Sequence, residues 1–300
     1  MIKVVPVTKA ASLTSLVFIA ILLLSSLALS AGEPLKSMQI GINLQVRAYL
    51  QGPYDMNTGL MKDHLRAQGL LPLQQPYSSS PFFYTGTENL NRSLTSVSLG
   101  GDQDALIDWV LLEVRSATNP AFILAQKACG LQADGDLMDV QTGSTTLLFP
   151  SLTVGNYYVS LRHRNHLGVV SAQALALSFT SSWLDFSNPN FAVTGQHSRY
   201  LHKTKALLWT GDVNQDKKLI AQGISSDNTA LLTVVLSANA NTAFNTSYRL
   251  TGYAATDLNL DGATLAAGPS NDGNLIYSNI LNYPSNSSFA GNYIVRGNAY

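Results

Sequence analysis

Gly211-Asp212-Val213-Asn214-Gln215-Asp216 and Thr256-Asp257-Leu258-Asn259-Leu260-Asp261-Gly262 are one acidic loop written twice, 45 residues apart and in register without a gap. Each copy carries a further acid 15 positions after its first, Asp227 and Asp272. A chance D-x-N-x-D does not recur with the same distal acid, so 211–255 and 256–300 read as a tandem duplication. Oxygens at alternate positions can turn inward around one hard cation, which is the first half of a calcium loop.

In a standard loop of this kind the seventh residue gives a backbone carbonyl and the twelfth a closing acid. Here the twelfth is Gly223 or Gly268, so closure falls to Asp227 and Asp272. Each precedes an apolar run (231–236 and 275–281), where an Asp at a helix start can both cap the helix and ligate. The expected ligands of the first site are Asp212, Asn214, Asp216, Asp227 and the carbonyl of Lys218. Those of the second are Asp257, Asn259, Asp261, Asp272 and the carbonyl of Ala263. Calcium is the expected cofactor, in a structural role. Position six calls for left-handed backbone, which Gly262 adopts freely and Lys217 adopts at about 1 kcal/mol of strain, so the second site should bind more tightly. The competing reading is a pair of Asx turns without metal.

Upstream, the apolar pattern from Ser37 to about Ser178 has period two, the spacing of half-buried strands. Residues 38–50 alternate, and so do 109–115. A hairpin is expected over 122–140 around Asp134-Gly135-Asp136, with further strands at 145–149, 157–163 and 172–179. Short strands separated by turns predict an Ig-like or transthyretin-like β-sandwich. The fold class is therefore mainly β with a small α-containing tail. Between the first two strands lies a long insertion with a short helical candidate at 61–66, expected to be a functional loop or a cap over one open end. The organisation expected is a signal peptide at 1–30, the sandwich at 31–180, a linker at 181–205 and a tandem calcium-loop module at 206–300.

Lys3 and Lys9 followed by an apolar stretch and Ala28-Leu29-Ser30 read as an export signal cleaved before Ala31. After cleavage no stable membrane span is expected. Charge is balanced, with 18 basic and 18 acidic residues making up 12% of the chain, so no broad positive field exists to hold nucleic acid. The single Cys129 cannot form an internal disulfide and is expected to be a buried thiol.

Arg162-His163-Arg164-Asn165-His166 is the densest polar cluster of the sandwich. It reads either as a turn bonded to neighbouring loops or as an anion or glycan contact. No nucleophile elbow, phosphate loop or HExxH is present, and the chain is not expected to be an enzyme.

The acidic segments 212–216 and 257–262 resemble type I dockerin repeats, which are paired calcium loop-helix units. They depart from that pattern at Lys217 and in the longer interval before the last acid. Gln51-Gly52-Pro53-Tyr54, Gly69-Leu70-Leu71-Pro72, Asp108-Trp109-Val110 and Arg162-His163-Arg164-Asn165-His166-Leu167-Gly168 extend a resemblance to exported Bacteroidetes-type surface proteins that end in such loops. The resemblance implies a secreted or cell-surface, adhesin-like protein with no known reaction; a protein or glycan partner on the cell surface is expected. The alternatives are an anchoring protein that docks a partner module through its tail, and an accessory part of a secreted carbohydrate-active enzyme.

Overall fold

Strand β1 (Ile42–Arg47) buries Ile42, Leu44 and Val46 and turns Asn43, Gln45 and Arg47 outward, as its period-two spacing requires. The computed structural model describes residues 41–91 and 103–299. Residues 38–40 of that alternating stretch and the expected leader, 1–30, lie outside the described residues. β1 is the middle of a three-stranded sheet, with β5 (Leu147–Phe149) antiparallel on one side and β9 (Ser182–Asp185) parallel on the other.

Facing it is a six-stranded sheet in the order β4 (Leu137–Met138), β3 (Ile123–Gln132), β2 (Leu106–Ser116), β6 (Gly155–Arg162) and β7 (Val169–Val170), with β8 (Leu175–Leu177) also on β6. Ile42, Leu44, Val46 and Leu184 share one core with Val110, Leu112, Leu131 and Val159. The two sheets thus form a sandwich, and the described chain is mainly β. Cys129 lies in that core and is buried.

β2 is buried on both faces rather than half-buried. Val110, Leu112 and Val114 face the shared core, while Trp109 and Leu111 meet Tyr77, Phe82, Tyr84 and Leu90 on the other side. Those four aromatic and aliphatic residues come from the long insertion, which covers the outer face of the six-stranded sheet instead of an open end. Its helical candidate is one turn, α1 (His64–Ala67). The same covered face holds the carboxylate of Glu113, which accepts bonds from Arg115 Nε (3.0 Å), Ser160 Oγ (2.6 Å) and Gln126 Nε2 (3.2 Å). A charge this deep stands only with such partners.

The stretch 181–205 supplies β9 and also β10 (Tyr200–His202), which pairs with β11 (Lys205–Leu207). It sets Phe186, Phe191, Val193 and Tyr200 against the sandwich core. Expected as a linker, it is therefore packed structure.

The two acidic copies fold alike. Each loop runs into a short strand, β12 (Lys218–Ile220) or β14 (Ala263–Thr264), and then into a helix, α2 (Asp227–Leu236) or α3 (Asp272–Leu281). β13 (Leu250–Thr251) and β15 (Ile294–Arg296) close the copies, and their pairing crosses: β12 bonds β15, and β14 bonds β13. Each copy thereby completes the other's ladder around a core that includes Trp209, Val213, Leu231, Leu258, Ile276 and Val295. Ile40–Tyr300 is one compact unit, and Leu260 of the second loop, with no exposed surface, belongs to the sandwich core. Among the described residues no helix is long and apolar enough to cross a membrane.

Candidate metal centres

The first loop wraps around the start of α2. Ser226 is the N-cap, its hydroxyl accepting from Thr229 N–H at 3.3 Å, so Asp227 is the first helical residue and not the cap. Its carboxylate instead pins the loop, taking Val213 N–H (2.8 Å) on one oxygen and Ile220 N–H (2.7 Å) on the other. Asp212 accepts from Lys217 N–H (3.1 Å), Asn214 from Asp216 N–H (3.0 Å), and Asp216 from Lys218 Nζ (3.1 Å). These bonds hold the three side chains around one turn, and Lys218 opens the strand that leaves it. Two oxygens stay unused: Asp212 Oδ1 and Asp216 Oδ1 are buried with no hydrogen-bond partner.

The second loop repeats the turn, but none of its buried carboxylate oxygens is left without a partner. Asn271 caps α3, and Asp272 takes Leu258 N–H (2.7 Å) and Leu265 N–H (2.9 Å). Asp257 accepts from Asp261 and Gly262 N–H (3.1 and 2.9 Å), Asn259 from Asp261 N–H (2.8 Å), and Asp261 from Ala263 N–H (3.0 Å). Ala263 opens β14, as Lys218 opens β12. Arg249 stands 3.5 Å from Asp261, a counter-charge that the first loop receives from Lys218. Position six is left-handed in both copies, with φ +65° at Lys217 and +85° at Gly262. Position four is left-handed too, at Gln215 and Leu260; neither residue type announces it.

Burial, reinforced by Asp227 and Asp216, pushes the Asp212 carboxyl up to about 8. Burial likewise raises Asp227 and Asp257 to about 7 and Asp272 to about 6, against the pull of their backbone N–H donors. Acids gathered in low dielectric need either protons or a cation. All the donors are hard oxygens, the set that suits calcium or magnesium. Among the described residues no three His, Cys, Asp or Glu side chains group closely enough to hold an ion as they stand. Asn214 and Asn259 add amide oxygens to the two turns, and in the first the unpaired Asp212 Oδ1 and Asp216 Oδ1 are free to take a cation.

Arg162–Gly168 forms the joint between the sandwich and both loops. Gly52 N–H donates to His166 Nε2 (3.2 Å), which places the His166 proton on Nδ1, facing Asn165 Oδ1 (2.7 Å) and His163 Nδ1 (3.0 Å). His163 Nε2–H then points to Asp108 Oδ2 (3.2 Å), which Arg164 Nε also bonds (3.0 Å), while Tyr253 donates to Oδ1 (2.7 Å). Burial pushes Asp108 up, but Arg164, His163 and Tyr253 together outweigh it and hold it at about 2. Burial lowers both imidazoles, which are neutral in the fold. Arg164 stacks on Tyr253 at 4.1 Å and bonds the Ala254 carbonyl. All of His163, Arg164, Asn165 and His166 are buried, so the cluster is closed to a glycan or anion, and the turn reading holds.

Sequence reasoning missed Gln51, whose amide pairs with Asn279 (2.7 and 2.9 Å) and accepts from Thr210 N–H (3.0 Å). It also missed the contact of Gln68 Nε2 with the Asp261 carbonyl (2.8 Å). Both partners are distant in sequence, and no local pattern marks them. No protein-family model matches the chain, and neither a curated protein nor a solved structure does.

Proposed function

We propose that this chain is an exported, non-catalytic binding or structural protein of the cell surface, whose tandem acidic loops are held by calcium. The observation that carries the reading is the pair of buried, unpartnered oxygens on Asp212 and Asp216. With its carboxyl raised to about 8, Asp212 lowers the stability of the metal-free fold at pH 7 by on the order of 4 kcal/mol, a large share of a domain's net stability. A divalent ion removes that cost by supplying the charge that the turn lacks. Calcium suits an exported protein because it is plentiful outside the cell and its oxygen cages tolerate irregular geometry.

The sandwich, read as Ig-like or transthyretin-like, would present the binding surface, and the loops would lock the tail against it. Support for a non-catalytic role is the use of the chain's densest His and Arg cluster as a buried joint. Export rests on the leader-like residues 1–30. Calorimetric titration of calcium into the chelator-stripped, purified protein tests the reading. It expects saturable binding of two ions per chain, with magnesium weaker; heat-silent titration overturns it.

A further inference from the structure

Trp183 stands half exposed on the outer face of the three-stranded sheet, at 50%, whereas Trp109 and Trp209 are buried. Register sets it beside Gln45, and the Arg47 guanidinium lies 5.1 Å from its ring centroid. One ring face thus rests on Arg47, and half of the residue is open to solvent. Along β1, Asn43, Gln45 and Arg47 form an outward row that repeats about every 7 Å. Gln45 makes one long contact with the protein, 3.5 Å to Thr146, so its amide is available.

The charge of this face selects its ligand. Arg47 is matched by Asp136 (2.6 Å) and Asp134 (3.4 Å), and Asp185 lies across from it on the same face, leaving the patch with more carboxylates than cations. Phosphates, nucleic acids and acidic glycans are disfavoured there. A protein partner would call for a contiguous apolar centre, but the ring's neighbours on the sheet are amides and an ion pair. A flat aromatic face edged by amide and carboxylate groups suits an uncharged molecule that offers C–H faces and many hydroxyls.

We propose that this face binds a neutral polysaccharide, with Trp183 stacking on a sugar ring and Gln45, Asn43 and the Arg47–Asp136 pair bonding its hydroxyls. The inference deepens the binding role proposed above and rests on it, but not on calcium.

The test is affinity electrophoresis of the purified protein through gels containing a mixed-linkage β-glucan, a xylan, a galactan or an α-mannan, with a parallel tryptophan-emission titration. At least one polysaccharide should retard the protein and shift its emission, because Trp183 is its exposed tryptophan. Trp183→Ala should weaken binding more than about tenfold and Gln45→Ala about tenfold. Both variants should keep the parent's melting temperature, since both side chains stand on the outer face. Free migration in all four gels, or retardation unchanged in both variants, overturns the proposal. Repeating the gels in chelator separates the two readings: retardation without any calcium response sustains this site alone, and a calcium response without retardation refutes it alone.

Discussion

Asn165 Nδ2 donates to the backbone oxygen of Asp257 at 2.7 Å, across the joint between the sandwich and the second acidic loop. The Asn165 carbonyl accepts from Gly211 and Asp212 N–H at 3.0 and 3.2 Å. Asp212 and Asp257 are equivalent positions, so one buried asparagine sets the first acid of both loops. Asn165→Ala leaves a buried carbonyl and the His166 Nδ1–H short of a partner, at about 1–3 kcal/mol each. Chemical denaturation should show a loss of about 2–4 kcal/mol, together with weaker calcium binding at the second loop. A loss below about 0.5 kcal/mol, the range of an ordinary surface change, would show that the joint does not depend on this residue.

Gly262 is required twice over. Its backbone is left-handed, and a Cβ there would stand 2.7 Å from Leu70 Cδ1 and 2.8 Å from Gln68 Oε1. Gly262→Ala should destabilise the protein by about 1–3 kcal/mol, combining strain with overpacking. Lys217→Gly, at the equivalent and more open position, should be neutral or stabilising by up to about 1 kcal/mol. Thermal melts of the two variants side by side check the asymmetry. Equal effects would mean that the second loop is not pressed against the sandwich.

Metal-free stability should depend on pH in a direction set by the buried acids. Asp212, Asp227, Asp257 and Asp272 have folded-state values of about 8, 7, 7 and 6, above the ordinary 3.8, because burial disfavours their ionised forms. Their contribution is fully present below about pH 4 and is lost as pH rises through these folded values. His163 and His166 oppose it, since burial holds both below 6.5 and the fold weakens as pH falls past that point. Four carboxyls outweigh two imidazoles. In chelator the melting temperature should therefore fall from pH 5 to pH 8, and in calcium it should stay nearly level. A metal-free melting temperature that climbs through the same window would contradict the account.

Much of this architecture was legible beforehand. The 45-residue duplication foretold two loops with matched helices, and the period-two stretches marked β1, β2, β3 and β6. Long-range partners were not legible. Ser182-Trp183-Leu184-Asp185 is too short for periodicity to rise above a loop, and it becomes a strand only because β1 offers it a parallel edge. Leu260 stands between Asn259 and Asp261 in the sequence, yet its left-handed backbone turns it into the sandwich core. The buried outer face of β2 was hidden as well, because Tyr77 and Phe82 reach it from a Pro- and Ser-rich loop whose path no local rule predicts. The acids and asparagines of each copy gather around one turn, while the capping role expected of Asp227 and Asp272 passed to Ser226 and Asn271.

Asp212→Asn separates a cation site from a structural turn most directly. The amide oxygen can still accept the Lys217 N–H, but there is no longer a carboxyl whose ionisation the fold suppresses. Melting temperatures of parent and variant, each in chelator and in calcium at pH 7, should invert: the variant more stable than the parent without metal, by on the order of 2 kcal/mol, and less stable with it. A variant less stable than its parent in both conditions, with the same calcium increment, would contradict the claim that these loops are built around a bound ion.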